Sequence, residues 1–193
     1  MTTMQDLEAG GRRMAALLRQ RDISLVLAES CTGGLIAATL ATIPGISKHF
    51  AGSAVVYQIE TKASWLGIPH ALFENPGPVS AEVAIEMAQG VLARTPQAQI
   101  AASVTGHLGP DAPAEQDGLM YTAVALRDGA TGTAGPDSPF VLRRHVLTAG
   151  TDGATNGTGD SLRTRRQREA TAFVLALVCT VLEEGLNGHA VAT

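Results

Sequence analysis

Apolar positions recur along this chain at two periods, helical in some stretches and strand-like in others, and the order of the two outlines the fold. Leu7, Met14, Leu17 and Leu18 fall on one helical face and predict an amphipathic helix over Met4 to Gln20. Ile23 to Ala28 is a short β-rich run that reads as a buried strand. A helix over Gly33 to Ala41 follows, with Ser30 or Thr32 available as its cap and Pro44-Gly45 as its stop. Ala54 to Tyr57 reads as a second strand, and a short helix around Thr61 to Leu66 ends at Gly67. Ser80 opens the next helix, with Val83, Met87 and Val91 as its stripe. Val79 is placed as a staple, and Glu82 lies in the first turn, one position early for a capping box.

Gln99 to Val104 is the next strand, Leu119 to Leu126 and Phe140 to Leu147 form a late strand pair, and Ser161 to Glu184 is a long helix. Leu175, Val178, Cys179 and Leu182 give that last helix a wide apolar face. The segments Arg127 to Ser138 and Ala149 to Gly159, mixed from small and polar residues, read as mobile surface loops. Early alternation of strand and helix, closed by two successive strands, predicts a three-layer α/β/α sandwich with a mixed, mainly parallel sheet. With no internal repeat and no composition break, residues 1–193 are expected to form one domain.

Composition changes this picture little but excludes several function classes. The net charge of −4 with neutral histidines gives no global attraction to nucleic acid or anionic lipid. Cys31 and Cys179, the only cysteines, allow at most one disulfide and form no metal-binding pattern. The polar N-terminus lacks the apolar run of a secretory signal, and Ala170 to Leu182 is too short and interrupted to span a bilayer. A cytoplasmic protein with reduced thiols is expected.

Candidate chemistry begins with the basic residues. Lys48 and Lys62 are the only lysines in a chain that otherwise uses arginine. Arginine stays charged, whereas a buried lysine can lose its proton and act as a base. Lys62 lies five residues after Tyr57. Upstream, Glu29-Ser30-Cys31-Thr32-Gly33-Gly34 leads out of a strand into a helix, an arrangement that aims backbone N–H groups at one spot and can serve as an oxyanion hole. Ser30, Lys62 and Tyr57 therefore read as nucleophile, base and assisting hydroxyl. Taken singly, each has a plainer explanation: a capped helix, a solvated lysine, a core or edge tyrosine. Cys31 is a rival nucleophile, and a Ser30–His107 pair is a rival arrangement that lacks an orienting carboxylate. The remaining histidines are scattered. The cluster Arg163, Arg165, Arg166 and Arg168 reads as a solvated helix face, although its position near a helix N-terminus would suit an anionic partner.

At these residues the chain resembles the C-terminal domain of the competence/damage-inducible CinA proteins, the nicotinamide-nucleotide amidase family. The resemblance is carried by Ala28 to Gly34, Pro44 to Ser47, Tyr57 through Lys62, Leu66-Gly67, Val79-Ser80, Thr105-Gly106 with Gly109-Pro110, and Gly118, with a looser match at Gly159-Asp160. It covers about residues 5 to 185. It implies hydrolysis of the carboxamide of nicotinamide mononucleotide to nicotinate mononucleotide and ammonia, with Ser30, Lys62 and Tyr57 in the roles above and no cofactor or metal. Glu29, Cys31, Thr32, Gly33, Gly34, Thr105, Gly106, His107 and Gly109 are expected to line the substrate site. A homodimer or higher homo-oligomer is also implied, for which the apolar faces of the terminal helices are available; direct binding to nucleic acid or membrane is not expected. Two departures stand out: His107 and Leu108 replace small or apolar residues, and Ser161 occupies a usual arginine position unless Arg163 takes it over. A chain of this length is expected to hold no additional nucleotide-processing domain. The competing reading is a non-catalytic nucleotide-binding or competence- and damage-associated regulatory module.

Overall fold

The computed structural model describes residues 2–127, 134–135, 138–149 and 160–184. Most of the two segments read as surface loops, together with Gly159 and His189, lies outside the described residues. Among the described residues, six α-helices and five strands run in the order α1 (Met4–Arg21), β1 (Leu25–Glu29), α2 (Leu35–Ala41), β2 (Phe50–Val55), α3 (Ile59–Leu66), α4 (Ala71–Glu74), α5 (Ala81–Ala93), β3 (Ile100–Gly106), β4 (Leu119–Leu126), β5 (Phe140–Val146) and α6 (Leu162–Glu184). The strands form one sheet in the order β2-β1-β3-β4-β5. β2, β1 and β3 are mutually parallel, while β4 and β5 add antiparallel neighbours at one side. The predicted mixed α/β/α architecture is the observed one.

Local chemistry accounts for the element ends. Thr3 and Asp6 form a reciprocal capping box on α1, and Asp22 closes that helix in the left-handed conformation at φ 50°. The Ser80 hydroxyl accepts from the Val83 amide at the start of α5, at 3.3 Å. β1 is buried along its whole length, as befits a central parallel strand covered on both faces. One core, on the side of α1, α2 and α6, gathers Leu7, Met14, Leu27, Ile36, Val104 and Val178; the other, beneath α3, α4 and α5, gathers Val26, Leu66, Val83, Met87, Leu92 and Ala101.

Three expectations are corrected. The second strand spans Phe50–Val55 rather than Ala54 to Tyr57. It is an edge strand whose extent is set by pairing to β1, from Leu25 opposite Phe50 to Glu29 opposite Val55, rather than by the β-propensity of its own residues. Tyr57 therefore sits past the strand, in the connection to α3. The apolar faces of α1 and α6, named as available for association, are used inside the domain: Leu175, Val178, Cys179 and Leu182 are all buried, as expected of a face that packs on a sheet. The arginines at the start of α6 do not form a uniform solvated face. Arg166 is buried and grips Asp117 with two hydrogen bonds of 2.6 and 2.7 Å, and Arg168 pairs with Asp160. The anionic partners that a helix N-terminus with positive charges calls for are thus within the chain.

The face of α3 that carries Lys62 is held against α5 at Gly90. A Cβ there would lie 2.5 Å from the Leu66 carbonyl oxygen and 3.2 Å from the Leu66 Cβ, contacts that no flexible side-chain end can relieve. Gly90→Ala is expected to destabilise the protein by about 1–3 kcal/mol through overpacking, measured as a lower urea midpoint at unchanged m-value. An unchanged midpoint would show that α3 is not seated as described.

Candidate active site

The carboxyl ends of β1, β2 and β3 meet where the chain reverses direction across the sheet. β2 lies on one side of β1 and β3 on the other, which opens a crevice at the end of β1. Ser30 follows β1, Tyr57 follows β2, and the segment from Gly106 to Ala112 follows β3. The first turns of α6 come down onto the same end.

Ser30 is nearly buried, and its amide is pinned to the Val104 carbonyl at 3.1 Å. Lys62, buried on α3, places its Nζ 3.0 Å from the Ser30 Oγ. Burial pulls the lysine pKa below its ordinary 10.5, opposed in part by the Cys31 thiol. No ion pair to Lys62 exists among the described residues. A buried amine without a carboxylate favours the neutral form, the form that can accept a proton. Cys31 is buried beside this pair, and burial pushes its thiol up to about 12, which disfavours the thiolate and with it the rival nucleophile. Among the described residues Lys62, and not His107, is the side chain hydrogen-bonded to the Ser30 hydroxyl.

Glu29 does not present its carboxylate to a ligand, contrary to the role expected for it. The residue is fully buried, and its two oxygens accept five hydrogen bonds of 2.8 to 3.1 Å from the Thr32 and Ser53 hydroxyls and the amides of Gly34, Ile36 and Ala37. With donors on every side, the group is an acceptor that caps α2 and ties the serine turn to β2. The Gly33 amide is likewise occupied, by the Ser30 carbonyl at 3.0 Å. Of the turn expected to donate to substrate, the amides of Cys31 and Thr32 are the ones that meet no protein acceptor among the described residues. Gly33 and Gly34 have φ of 62° and 95°, the left-handed conformation that lets the chain turn so sharply after Ser30.

The remaining expected residues divide. The Thr105 hydroxyl is buried and donates to the Pro78 carbonyl at 2.9 Å, and so holds the strand end. Gly106, His107 and Gly109 line an open cleft of about 230 Å³ together with Leu108, Pro110, Asp111, Ala112 and Arg163. Tyr57 is exposed, and its hydroxyl accepts a hydrogen bond from the Arg163 guanidinium, which also donates to the Gly109 carbonyl at 2.7 Å. Ser161 bonds the Thr164 amide at 3.1 Å and acts as a cap of α6, while Arg163 is the arginine that reaches the site. Sequence reasoning missed Gln167, whose side-chain amide donates to the Thr32 carbonyl at 2.7 Å, and Asp117, which anchors Arg166. The four-residue spacing from Arg163 to Gln167, one helical face, was the available signal. Among the described residues no group of His, Cys, Asp and Glu could hold a metal ion, and no helix is long and apolar enough to cross a membrane.

Fold and site together define an α/β/α domain with a buried serine–lysine pair at the switch point of its sheet. Residues 8–135 match the sequence model of the CinA C-terminal domain, and the chain belongs to that family. It is 42% identical over 120 residues to a CinA-like protein of Geobacter metallireducens, covering 61% of this chain and 29% of the relative. With a CinA-like protein of Chlorobium phaeobacteroides the figures are 39% over 132 residues, 67% and 31%. The chain thus spans less than a third of the length of these curated relatives. The crystal structure of the competence/damage inducible protein CihA from Agrobacterium tumefaciens superimposes with a TM-score of 0.76 at 28% identity, covering 93% of this chain and 96% of that one.

Proposed function

We propose that the domain is an amidohydrolase acting on the carboxamide of nicotinamide mononucleotide, releasing ammonia and nicotinate mononucleotide. The observation that supports this reading most directly is the 3.0 Å contact between the Lys62 Nζ and the Ser30 Oγ, both buried. A neutral Lys62 accepts the Ser30 proton as the Oγ attacks the carboxamide carbon. The developing oxyanion meets the amides of Cys31 and Thr32, donors that the protein itself leaves uncommitted. Collapse of the tetrahedral intermediate breaks the C–N bond, and the proton held by Lys62 passes to the departing nitrogen to give ammonia. Lys62 then takes a proton from water as the water oxygen attacks the Ser30 ester, and gives that proton to the Ser30 Oγ as the acyl–oxygen bond breaks and the carboxylate leaves. Tyr57, held by Arg163, stands at the mouth of the site as the assisting hydroxyl. Neither cofactor nor metal enters these steps. The working unit is proposed to be a cytoplasmic homodimer or higher homo-oligomer acting on small nucleotides rather than on nucleic acid.

Incubation with nicotinamide mononucleotide, with ammonia and nicotinate mononucleotide quantified together, tests this reading. Ser30→Ala is expected to remove turnover by a factor on the order of 10³ or more while the protein keeps its fold, since the nucleophile itself is lost. Ammonia release by Ser30→Ala at the wild-type rate would refute the serine mechanism. A folded wild type with no release would leave a nucleotide-binding module.

A further inference from the structure

The turn that carries the nucleophile is tied down unevenly. Ser30 is fixed at both ends: its amide donates to the Val104 carbonyl at 3.1 Å, and its carbonyl accepts from the Gly33 amide at 3.0 Å. Thr32 is fixed through its hydroxyl, which donates to Glu29 at 2.8 Å. Its carbonyl accepts twice, from the Leu35 amide at 3.1 Å and from the Gln167 side chain at 2.7 Å. Between these anchors lies the Cys31–Thr32 peptide unit, whose N–H meets no protein acceptor among the described residues. A planar unit held only at its ends swings about the line joining them, through ψ of Cys31 and φ of Thr32.

That N–H is one of the two donors open to an oxyanion at Ser30, so its direction decides how much developing charge it stabilises. The Leu35 and Glu29 contacts to Thr32 belong to the same short stretch of chain and move with it. The Gln167 contact comes from 135 positions away and refers Thr32 to a different element of the domain.

α6 is a firm reference. Gln167 stands between Arg166, which holds Asp117 at 2.6 and 2.7 Å, and Arg168, which pairs with Asp160. One turn further on, the fully buried Thr171 donates its hydroxyl to the Gln167 carbonyl at 2.9 Å, and Val174, Leu175 and Val178 pack the helix into the core. The turn is shaped to receive the side chain: a Cβ on Gly33 would lie 3.3 Å from the Gln167 Nε2. Glycine at that position therefore serves the close approach of the amide as well as the positive φ. A donor carried by a packed helix holds its target more closely than one carried by a loop.

From this we infer that Gln167 is a positioning residue for the reaction at Ser30: by holding the Thr32 carbonyl it aims the Thr32 N–H at the oxyanion. The inference takes Ser30 as nucleophile from the amidase reading, and it can also be read without that substrate. Gln167→Met keeps the length of the side chain and removes the donor. It is expected to lower kcat for nicotinamide mononucleotide about 10- to 100-fold, the effect of a misaimed oxyanion donor. KM should stay within about two-fold, because the oxyanion exists only beyond the ground state. Phosphonylation of Ser30 by a fluorophosphonate, whose phosphoryl oxygen takes the place of the oxyanion, should slow by a similar factor. The pH–rate limb of Lys62 should not move, since the amine keeps its burial and its contact to Ser30. Gln167→Lys returns a donor of similar reach and should recover most of both losses.

Wild-type kcat and labelling in Gln167→Met would overturn the inference and leave the contact as packing. So would equal losses in the Met and Lys variants, or a displaced pH–rate limb, which would trace the loss to Lys62; each of these results leaves the amidase standing. Labelling of Ser30 that depends on Gln167, in a wild type that releases no ammonia, would retain the positioning role and remove the amidase. A folded wild type that neither releases ammonia nor takes the label would remove both.

Discussion

Lys62→Met is expected to abolish ammonia release while leaving the protein at least as stable as the wild type. Loss of the general base removes a factor on the order of 10² to 10⁴ in rate. The same substitution replaces a buried amine by an unbranched side chain that carries no charge to desolvate. A gain of about 0.5–2 kcal/mol is expected, the usual size of a gain when a functional strain is relieved. The pH dependence identifies its source. Burial lowers the folded-state pKa of Lys62 below the ordinary 10.5. Between those two values the unfolded chain binds the extra proton, so wild-type stability rises with pH across that window. Below it both states are protonated and the folded protein bears the full cost of a buried ammonium. The advantage of Lys62→Met should therefore be largest at the acid side and shrink as pH approaches 10.5. Activity should follow the same group: the rate rises with pH through the lowered Lys62 pKa, on a limb lying below 10.5. Urea titrations at several pH values, set beside the pH–rate profile, check both. A variant that is less stable than wild type by the same amount at every pH would mean that Lys62 is a structural side chain.

Glu29→Gln should be the more damaging change to the fold, although it alters a single heavy atom. Oε2 accepts from Thr32, Gly34 and Ile36, and Oε1 from Ala37 and Ser53. A glutamine can set its one oxygen on the three-donor side, but its NH₂ then faces the Ala37 amide and the Ser53 hydroxyl. The hydroxyl can rotate; the backbone amide cannot. At least one buried donor is orphaned, and the remaining bonds lose the negative charge that strengthened them. About 3 kcal/mol of stability should be lost, with a further fall in kcat because the same carboxylate holds the turn that carries Ser30. Serine reactivity toward a fluorophosphonate, measured at a denaturant-free temperature where the variant stays folded, reads the second effect without relying on any substrate. A urea midpoint that corresponds to within about 0.5 kcal/mol of wild type would show that the turn is held by other means.

How far these residues were visible in the sequence depends on the range of the interaction involved. The helix under Leu7, Met14 and Leu18 was legible because burial repeats at the helical period, and the start of α5 because a cap acts on neighbours, Ser80 on Val83. The serine turn was legible for the same reason, being a strand, a sharp turn through Gly33 and Gly34, and a helix within a dozen residues. β2 was misplaced toward Tyr57 because an edge strand takes its limits from the ladder with β1, which its own residues do not encode. Glu29 was misassigned because a carboxylate in a glycine-rich turn looks the same in sequence whether it turns toward a ligand or back onto the amides of the following helix.

The alternation of strand and helix, the family motifs and the choice of Ser30, Tyr57 and Lys62 as candidates for a reactive set were legible in the sequence alone. The pairing of Ser30 with Lys62 across 32 positions, the engagement of Glu29 and Thr105 by protein partners, and the arrival of Arg163 and Gln167 from α6 were decided by the tertiary structure. The physical reason is separation along the chain. Periodicity and capping are written between residues a few positions apart, whereas the site is assembled where three parallel strands end together, and that meeting depends on sheet order and register rather than on any one segment.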